Sequence, residues 1–237
     1  GEILYQASRI AEGQAEGLAA VIVRETGKTL REAQAEVRDG VSVLRAVAAE
    51  GSCAGGGVAP SMGPETLAVT VQVPSGVAAV ITHWTFPLSN AVWPLASALA
   101  AGNTVVFKPA ENAPLIGTRL VEILLEAGLP PGTISLVHGY GEEAGAPLVR
   151  HPDVVLVSFA GSSEVGREVA ITCAAEQKRL VLDVGERCNV LVLEDAELDV
   201  AVEGAVAMAF AVAGQQWRGA ARLFVHRKAV REFSERV

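Results

Sequence analysis

Residues 77–110 read VAAVITHWTFPLSNAVWPLASALAAGNTVVFKPA, and their pattern indicates the fold class. Val77–Thr82 predicts a strand, Leu88–Ala101 is apolar over the length of a helix, and Thr104–Phe107 predicts a second strand. Strands that are apolar throughout, rather than alternating, are typical of a sheet that is covered on both faces. A strand, a helix and a strand in this order therefore predict a parallel β-α-β unit.

The same alternation continues toward the carboxyl terminus. The further segments are a helix at Leu115–Ala127, a strand at Ile134–Val137, a helix that ends at Val149, a strand at Val154–Phe159, a helix at Glu164–Ala175 and a strand at Leu180–Leu182. This order predicts an α/β fold with a doubly wound parallel sheet. Such sheets bind ligands beyond the carboxyl ends of their strands.

The flanking regions have a different character. Residues 2–50 show helical periodicity that breaks at Gly27 and Gly40, and Gly51–Pro64 is rich in Gly, Ser and Pro and predicts a loop. Thr66–Val73 alternates like a strand. After the sheet, we expect a strand at Val190–Leu193, a helix at Leu198–Val212 and a strand at Leu223–His226, which together open a second lobe. Neither chain end carries a helix cap or terminator, so we interpret both as edges of something larger.

Composition excludes several classes of protein. The 237 residues carry a net charge of −8 with scattered Lys and Arg, which disfavours a nucleic-acid or acidic membrane surface. No apolar run reaches the roughly 18 residues of a membrane span. The three cysteines (Cys53, Cys173 and Cys188) form no CxxC pair, and we expect each to be buried and structural. No metal site is predicted, and a reducing cytoplasmic location is expected.

Two strand ends carry polar residues that are suited to a ligand. Lys108 and Glu111 directly follow one strand, where a lysine can bind a phosphate or a diol and a carboxylate can accept from ribose hydroxyls. Gly161 and Ser162 join another strand to a helix, where we expect a tight turn, a cap and N–H groups directed at an anion. An ordinary surface turn and plain helix capping are the alternative interpretations.

Five ordered segments together resemble the aldehyde dehydrogenases. They are VAAVITHWTFPL at Val77–Leu88, GNTVVFKPAE at Gly102–Glu111, LPPGTISLVHGYG at Leu129–Gly141, VSFAGSSEVG at Val157–Gly166 and GQQWRGAARLFVH at Gly214–His226. The resemblance spans the chain and implies a Rossmann-like dinucleotide-binding domain at residues 1–186. That domain would include the strand of an oligomerisation hairpin at about 64–76, and residues 187–237 would begin an incomplete catalytic lobe.

The resemblance also implies binding of NAD or NADP. Thr82 and Trp84 match the channel for the nicotinamide and its ribose, and Lys108 and Glu111 match contacts to the adenosine ribose. The positions beside the pyrophosphate match Gly161, Ser162 and Gly166, and Gly185 is also assigned to the cofactor. Ala160 replaces the threonine that is usual in the family.

The catalytic positions depart from the family pattern. Trp217 occupies the place of the nucleophilic cysteine, two residues after Gln215, and an indole cannot attack a carbonyl as a thiolate does. Thr85 replaces the asparagine that holds the oxyanion, and loss of such a donor costs roughly 2.7–4 kcal/mol of transition-state stabilisation. Asp183 replaces the general-base glutamate and is one methylene shorter.

Three hypotheses remain open at this stage. The first is a catalytically inactive domain with a structural role, such as the second domain of a tandem aldehyde dehydrogenase, in which the hairpin strand offers an edge for pairing. The second is an enzyme that binds NAD(P) and carries out another reaction, and the third is a sensor that only binds the dinucleotide. The expected partners are a dinucleotide and either the remainder of a larger chain or further copies of this one.

Overall fold

The computed structural model describes residues 1–53, 55–60, 63, 65–185, 188–216 and 219–237. Three helices come first: α1 at Glu2–Gly13, α2 at Ala15–Thr26 and α3 at Leu30–Cys53. The predicted break at Gly27 is confirmed, because Gly27 ends α2 with a φ of 74° that favours glycine. The predicted break at Gly40 is wrong. Gly40 lies within α3, where a Cβ atom would meet the Leu88 side chain at 3.5 Å, an ordinary contact distance, so the helix continues through this glycine.

A short antiparallel hairpin follows the helices. Strand β1 at Gly57–Ala59 pairs with β2 at Ala68–Thr70, and Val58 lies opposite Val69. The sequence therefore predicted β2 but not β1, and it predicted a longer strand, Thr66–Val73, than the structure shows. It predicted a loop where β1 lies, because glycines surround this strand.

Five parallel strands form the central sheet. They are β3 at Val77–Ile81, β4 at Thr104–Lys108, β5 at Ile134–Leu136, β6 at Val154–Ser162 and β7 at Arg179–Gly185. Their spatial order is β5-β4-β3-β6-β7, so the chain proceeds outward from β3 in one direction and then returns to build the other side. This is the doubly wound α/β fold that the alternation predicts.

Helices cover both faces of this sheet. They are α4 at Ser89–Ala100, α5 at Pro114–Glu126, α6 at Ala146–Arg150, which follows a π-helical turn at Gly141–Gly145, and α7 at Ser163–Ala175. Ala78 and Val80 of β3 face a large core that includes side chains of α1 to α5. Ala79 and Ile81 face a smaller core that includes side chains of α6 and α7. A strand that is buried on both faces explains the continuous apolar run at 77–81.

The last residues build a separate small sheet. Strands β8 at Cys188–Val192 and β9 at Ala220–Val225 pair in parallel, with α8 at Leu198–Phe210, a 3₁₀ turn at Ala211–Gly214 and α9 at Val230–Arg236 around them. Val192, Ala205 and Phe233 form the buried centre of this unit. The division at 186/187 falls outside the described residues and stays a prediction. Within the described ranges, no helix is long and apolar enough to cross a membrane.

Candidate dinucleotide site

A cavity of about 630 Å³ opens near the carboxyl ends of β3 and β6. These two strands are neighbours in the sheet where the chain order reverses. Ile81 and Phe159 line it from the strands, Gly145 and Val149 from the π-helical turn and α6, and Val169 from α7. A ligand crevice at such a reversal is the general expectation for doubly wound sheets.

Lys108 and Glu111 meet beside this cavity. Lys108 ends β4 with 2% of its surface exposed, and its Nζ donates to the carbonyl of Pro109 at 2.9 Å. Glu111 lines the cavity, and its Oε2 lies 3.6 Å from the Lys108 Nζ. Pro109 is fixed by close packing, because a Cβ atom on Gly117 would approach its ring at 2.7 Å. An ammonium group has three N–H donors, so Lys108 retains hydrogen-bonding capacity for a ligand beside Glu111.

The segment that joins β6 to α7 differs in part from the prediction. Ser162 caps α7 as predicted, and its Oγ accepts from the backbone N–H of Val165 at 3.3 Å. The tight turn predicted at Gly161 is wrong, because β6 continues to Ser162 and Gly161 pairs with Val184 of β7. Gly166 lies in the first turn of α7, where a Cβ atom would overlap the Val184 side chain. This glycine therefore allows α7 to pack closely on β7.

Gly185 is the last residue of β7 and lies opposite Ser162 in the sheet register. Its carbonyl accepts a hydrogen bond from the Ser163 hydroxyl at 2.9 Å. This contact joins the ends of β7 and β6 beside the first turn of α7.

Thr82 carries a buried hydroxyl at the end of the central strand. Its backbone N–H donates to the Lys108 carbonyl at 3.2 Å, and 4% of the residue is exposed. Among the residues that the structure describes, none forms a hydrogen bond with the Thr82 hydroxyl. Because a buried polar group without a partner costs free energy, this hydroxyl is a candidate ligand contact. Trp84, two residues later, packs against the large core.

Thr85 is held in a network around His83. The Thr85 backbone N–H donates to His83 Nδ1 at 3.0 Å, and the Asn90 side-chain amide contacts His83 Nε2. Burial lowers the pKa of His83 to about 4, although the Asp183 carboxylate acts in the opposite direction. Asp183 lies on β7 opposite Ala160. Its carboxylate acts electrostatically on His83, which belongs to the same segment as Thr85.

The sequence analysis missed a buried ion pair behind this segment. Lys28 Nζ lies 2.5 Å from Glu36 Oε2, and their side chains are 0% and 1% exposed. Lys28 also donates to the carbonyl of Thr85 at 2.8 Å. Glu36 Oε1 accepts from the backbone N–H of Leu88 at 2.8 Å. One sequence signal was available: Glu36 occurs within the buried stripe of α3, where an unpaired charge would be costly.

The segment before Trp217 is anchored to the same region. The N–H of Val212 donates to Glu32 Oε1 at 2.6 Å, and the Gln215 side chain donates to the carbonyl of Thr26 at 3.0 Å. Burial raises the pKa of Glu32, but hydrogen bonds from Thr29 and Val212 outweigh it and hold the pKa below its ordinary value. Trp217 itself lies outside the described residues.

The cysteines differ in burial. Cys173 is buried in α7, and its burial raises the pKa of the thiol. The prediction that all three are buried is wrong, because Cys53 is exposed at the end of α3 and Cys188 is half-buried at the start of β8. Over the described part of the chain, no group of His, Cys, Asp and Glu side chains could hold a metal ion.

The chain is similar in sequence to known aldehyde dehydrogenases. The profile of the Aldehyde dehydrogenase family matches residues 1–237. The chain is 38% identical over 237 residues to an alpha-ketoglutaric semialdehyde dehydrogenase of Bacillus subtilis. This match covers 100% of this chain and 49% of the relative. It is 47% identical over 170 residues to a phenylacetaldehyde dehydrogenase of Pseudomonas fluorescens. That match covers 72% of this chain and 34% of the relative.

Solved structures agree with the sequence comparisons. A betaine aldehyde dehydrogenase variant from Staphylococcus aureus, in complex with NAD⁺, superposes with a TM-score of 0.95 at 33% identity, over 99% of this chain and 47% of that one. The chain thus spans about half the length of the S. aureus and B. subtilis proteins. The resemblance and the fold class that the sequence motifs predict are confirmed.

Proposed function

Because the chain belongs to the aldehyde dehydrogenase family, we propose that it is a dinucleotide-binding domain that takes NAD in preference to NADP. We further propose that the chain does not itself carry out the thiol-dependent oxidation of an aldehyde. The binding proposal rests on the Lys108–Glu111 pair, which lies at the end of β4 with Glu111 lining the cavity, and on the buried Thr82 hydroxyl at the end of the neighbouring strand β3.

The residues present fit a dinucleotide. The Thr82 hydroxyl is buried and lacks a hydrogen-bond partner within the described residues, and the buried Lys108 retains donors beside the Glu111 carboxylate. Lys108 and Glu111 would hold the hydroxyls of the adenosine ribose, and Thr82 and Trp84 would border the nicotinamide half. The start of α7, capped by Ser162, would offer backbone N–H groups and a favourable dipole to the pyrophosphate. When bound, the nicotinamide would supply a hydride acceptor.

The charge of the cavity supports NAD rather than NADP. Its lining contains one arginine, Arg150, and five glutamates: Glu111, Glu142, Glu143, Glu164 and Glu168. NADP carries an additional phosphate on the adenosine ribose, the group that we assign to Lys108 and Glu111. Carboxylates repel that phosphate, whereas Glu111 can accept from the free hydroxyl of NAD.

The sequence supports the loss of thiol chemistry. Trp217 stands where the family pattern has its nucleophilic cysteine, and its indole offers no thiolate. Thr85 stands where the pattern has an amide donor, and its own backbone N–H already donates to His83. We therefore propose that neither the nucleophile nor the usual oxyanion donor is available on this chain.

Binding is tested by isothermal titration calorimetry with NAD and NADP. We expect NAD to bind more tightly than NADP, and Lys108→Met to reduce NAD affinity by roughly tenfold or more. Lys228→Met is the matched control, because Lys228 is exposed and pairs with Glu194 near the carboxyl terminus. Equal NAD affinity in the wild type and Lys108→Met would contradict the assignment of Lys108.

Turnover is tested separately by following NADH absorbance with acetaldehyde or propanal and NAD. We expect no NADH above the background without protein. An acyl adduct on the chain, detected by mass spectrometry during aldehyde turnover, would overturn the proposed inactivity.

A role in assembly is a second candidate, and the exposed hairpin favours it. Val58 of β1 and Val69 of β2 are 74% and 54% exposed, and Leu67 beside them is 77% exposed. Exposed apolar patches of this kind mark protein interfaces, and hairpin strands also offer edges for pairing. We propose that the hairpin contacts a further copy of this chain or a larger aldehyde dehydrogenase chain.

Light scattering after size-exclusion chromatography tests this second proposal. We expect Val69→Lys to shift the protein to a smaller assembly. Val200→Lys, at a site on α8 that is 67% exposed, should leave the assembly unchanged. A wild-type protein that is monomeric at all accessible concentrations would contradict pairing between copies.

A further inference from the structure

The turn between α2 and α3, residues 27–29, and the helix residues on either side of it contact several segments at once. Three glutamates in or beside this turn each accept backbone N–H groups from a different part of the chain. Glu25 accepts from Leu115 and Ile116 at the start of α5, Glu32 accepts from Val212 in the 3₁₀ turn, and Glu36 accepts from Leu88 and Ser89 at the start of α4. Since α4 follows β3 and α5 follows β4, two of these segments lie directly beyond neighbouring strands of the central sheet.

Lys28 makes the most specific of these contacts. Its Nζ joins Glu36 to the carbonyl of Thr85, and it lies 4.6 Å from the centre of the Phe86 ring. Residues 82–88 connect β3 to α4 through bends and turns, so side-chain contacts have a large share in fixing their path. Lys28 therefore holds the connection from one side while Glu36 holds its end at Leu88.

A purely structural role would not require this arrangement. Removing two charges from water is expensive, and an apolar pair of similar volume often gives equal or greater stability. Here Lys28 Nζ donates both to Glu36 Oε2 and to the carbonyl of Thr85, while the other carboxylate oxygen, Glu36 Oε1, accepts from the backbone N–H groups of Leu88 and Ser89. These contacts fix the backbone of residues 85–89.

We propose that Lys28 is a positioning residue that sets Trp84 and Thr85 against the nicotinamide half of the bound dinucleotide. This inference rests on the proposed function and adds to it a residue outside the crevice. Lys28 acts through the carbonyl of Thr85 and does not itself contact the ligand. The adenosine half, assigned to Lys108 and Glu111, does not depend on Lys28.

The test compares NAD with AMP, which contains only the adenosine half. Lys28→Met alone leaves the Glu36 charge buried without its partner, so the informative variant is the double substitution Lys28→Met/Glu36→Gln. Its matched control is Lys228→Met/Glu194→Gln, which removes an exposed ion pair of the same kind near the carboxyl terminus. We expect the double variant to bind NAD roughly tenfold more weakly than the control, and AMP within about twofold of it. Equal losses for NAD and AMP, or no loss, would overturn the positioning role.

A second measurement separates this inference from the proposed function. Hydrogen–deuterium exchange without ligand should show faster exchange of residues 82–89 in Lys28→Met/Glu36→Gln than in Lys228→Met/Glu194→Gln. Residues 104–108 of β4 should exchange equally in both. If the wild type binds neither NAD nor AMP, the proposed function fails, whereas unchanged exchange at 82–89 refutes the positioning role in either case.

Discussion

Replacing Ala213 by glycine should stabilise the protein, which is the reverse of the usual effect of this substitution. Ala213 lies in the 3₁₀ turn with φ 56° and ψ 33°, in the left-handed region, and its side chain is exposed. The left-handed conformation costs an L-residue about 1–2 kcal/mol, and glycine adopts it without this penalty. Glycine also increases the entropy of the unfolded chain, which lowers stability by about 0.4–1 kcal/mol. The difference predicts a net gain of about 0.5–1 kcal/mol in the free energy of unfolding.

The surrounding contacts explain why the strained backbone persists. The N–H of Val212 is bound by Glu32, and the Gln215 side chain bonds to the carbonyls of Thr26 and Val212. These contacts fix the residues on both sides of Ala213, so its φ and ψ are imposed by its neighbours. Ala213→Gly changes no side chain that takes part in them.

Urea unfolding followed by circular dichroism measures the effect, with Ala46→Gly as the matched control. Ala46 is also exposed but lies inside α3, where glycine should lower the free energy of unfolding by about 0.8–1 kcal/mol. The two alanine-to-glycine substitutions should therefore change stability in opposite directions. Thermal midpoints should follow, by about 2–4 °C per kcal/mol in a chain of this size. Equal destabilisation by both variants would refute the left-handed strain at residue 213.

Three further predictions concern pH, packing and capping. The pKa of His83 is about 4 in the folded state against 6.5 in a free side chain, so the unfolded chain binds more protons between these values and stability falls as the pH drops from 6.5 to 4. The full effect on the free energy of unfolding is at most about 3 kcal/mol. His83→Asn keeps an acceptor for the Thr85 N–H, and it should flatten this part of the profile of stability against pH. Gly166→Ala should lower the free energy of unfolding by about 1–3 kcal/mol in urea titrations, because its Cβ would overlap Val184, and an unchanged value would contradict the close packing. Glu25→Ala should lower it by about 0.5–2 kcal/mol, because the start of α5 loses a carboxylate that accepts two N–H groups, whereas an exposed control such as Glu16→Ala should change it little.

The fold was predictable because its strands are apolar on both faces. The run at 77–81 has this composition because Ala78 and Val80 contribute to one core and Ala79 and Ile81 to the other. Local glycine signals were less reliable. Gly40 suggested a break and Gly161 a tight turn, yet both lie inside regular elements, and at Gly161 the absence of a side chain leaves room for the Phe159 ring.

The candidate site was predictable only where residues follow strands directly. Lys108, Glu111 and Ser162 were identified because the carboxyl ends of parallel strands meet at one edge of a sheet. The contacts of Lys28 and Glu32 could not be found in this way, since their partners are distant in sequence. Lys28 and Thr85 are 57 residues apart, and Glu32 and Val212 are 180 residues apart. Such contacts arise from tertiary structure alone.

The two cores have a consequence for folding during synthesis on the ribosome. The buried side chains of the larger core all come from residues 4–134, whereas the smaller core needs β6 and α7, which are translated later. The helices α1 to α5, with β3 and β4, can therefore bury their shared face while the remainder of the sheet is still being made. During that interval the opposite face of β3, with Ala79 and Ile81, would remain uncovered, which makes it the surface that a nascent-chain chaperone would have reason to shield.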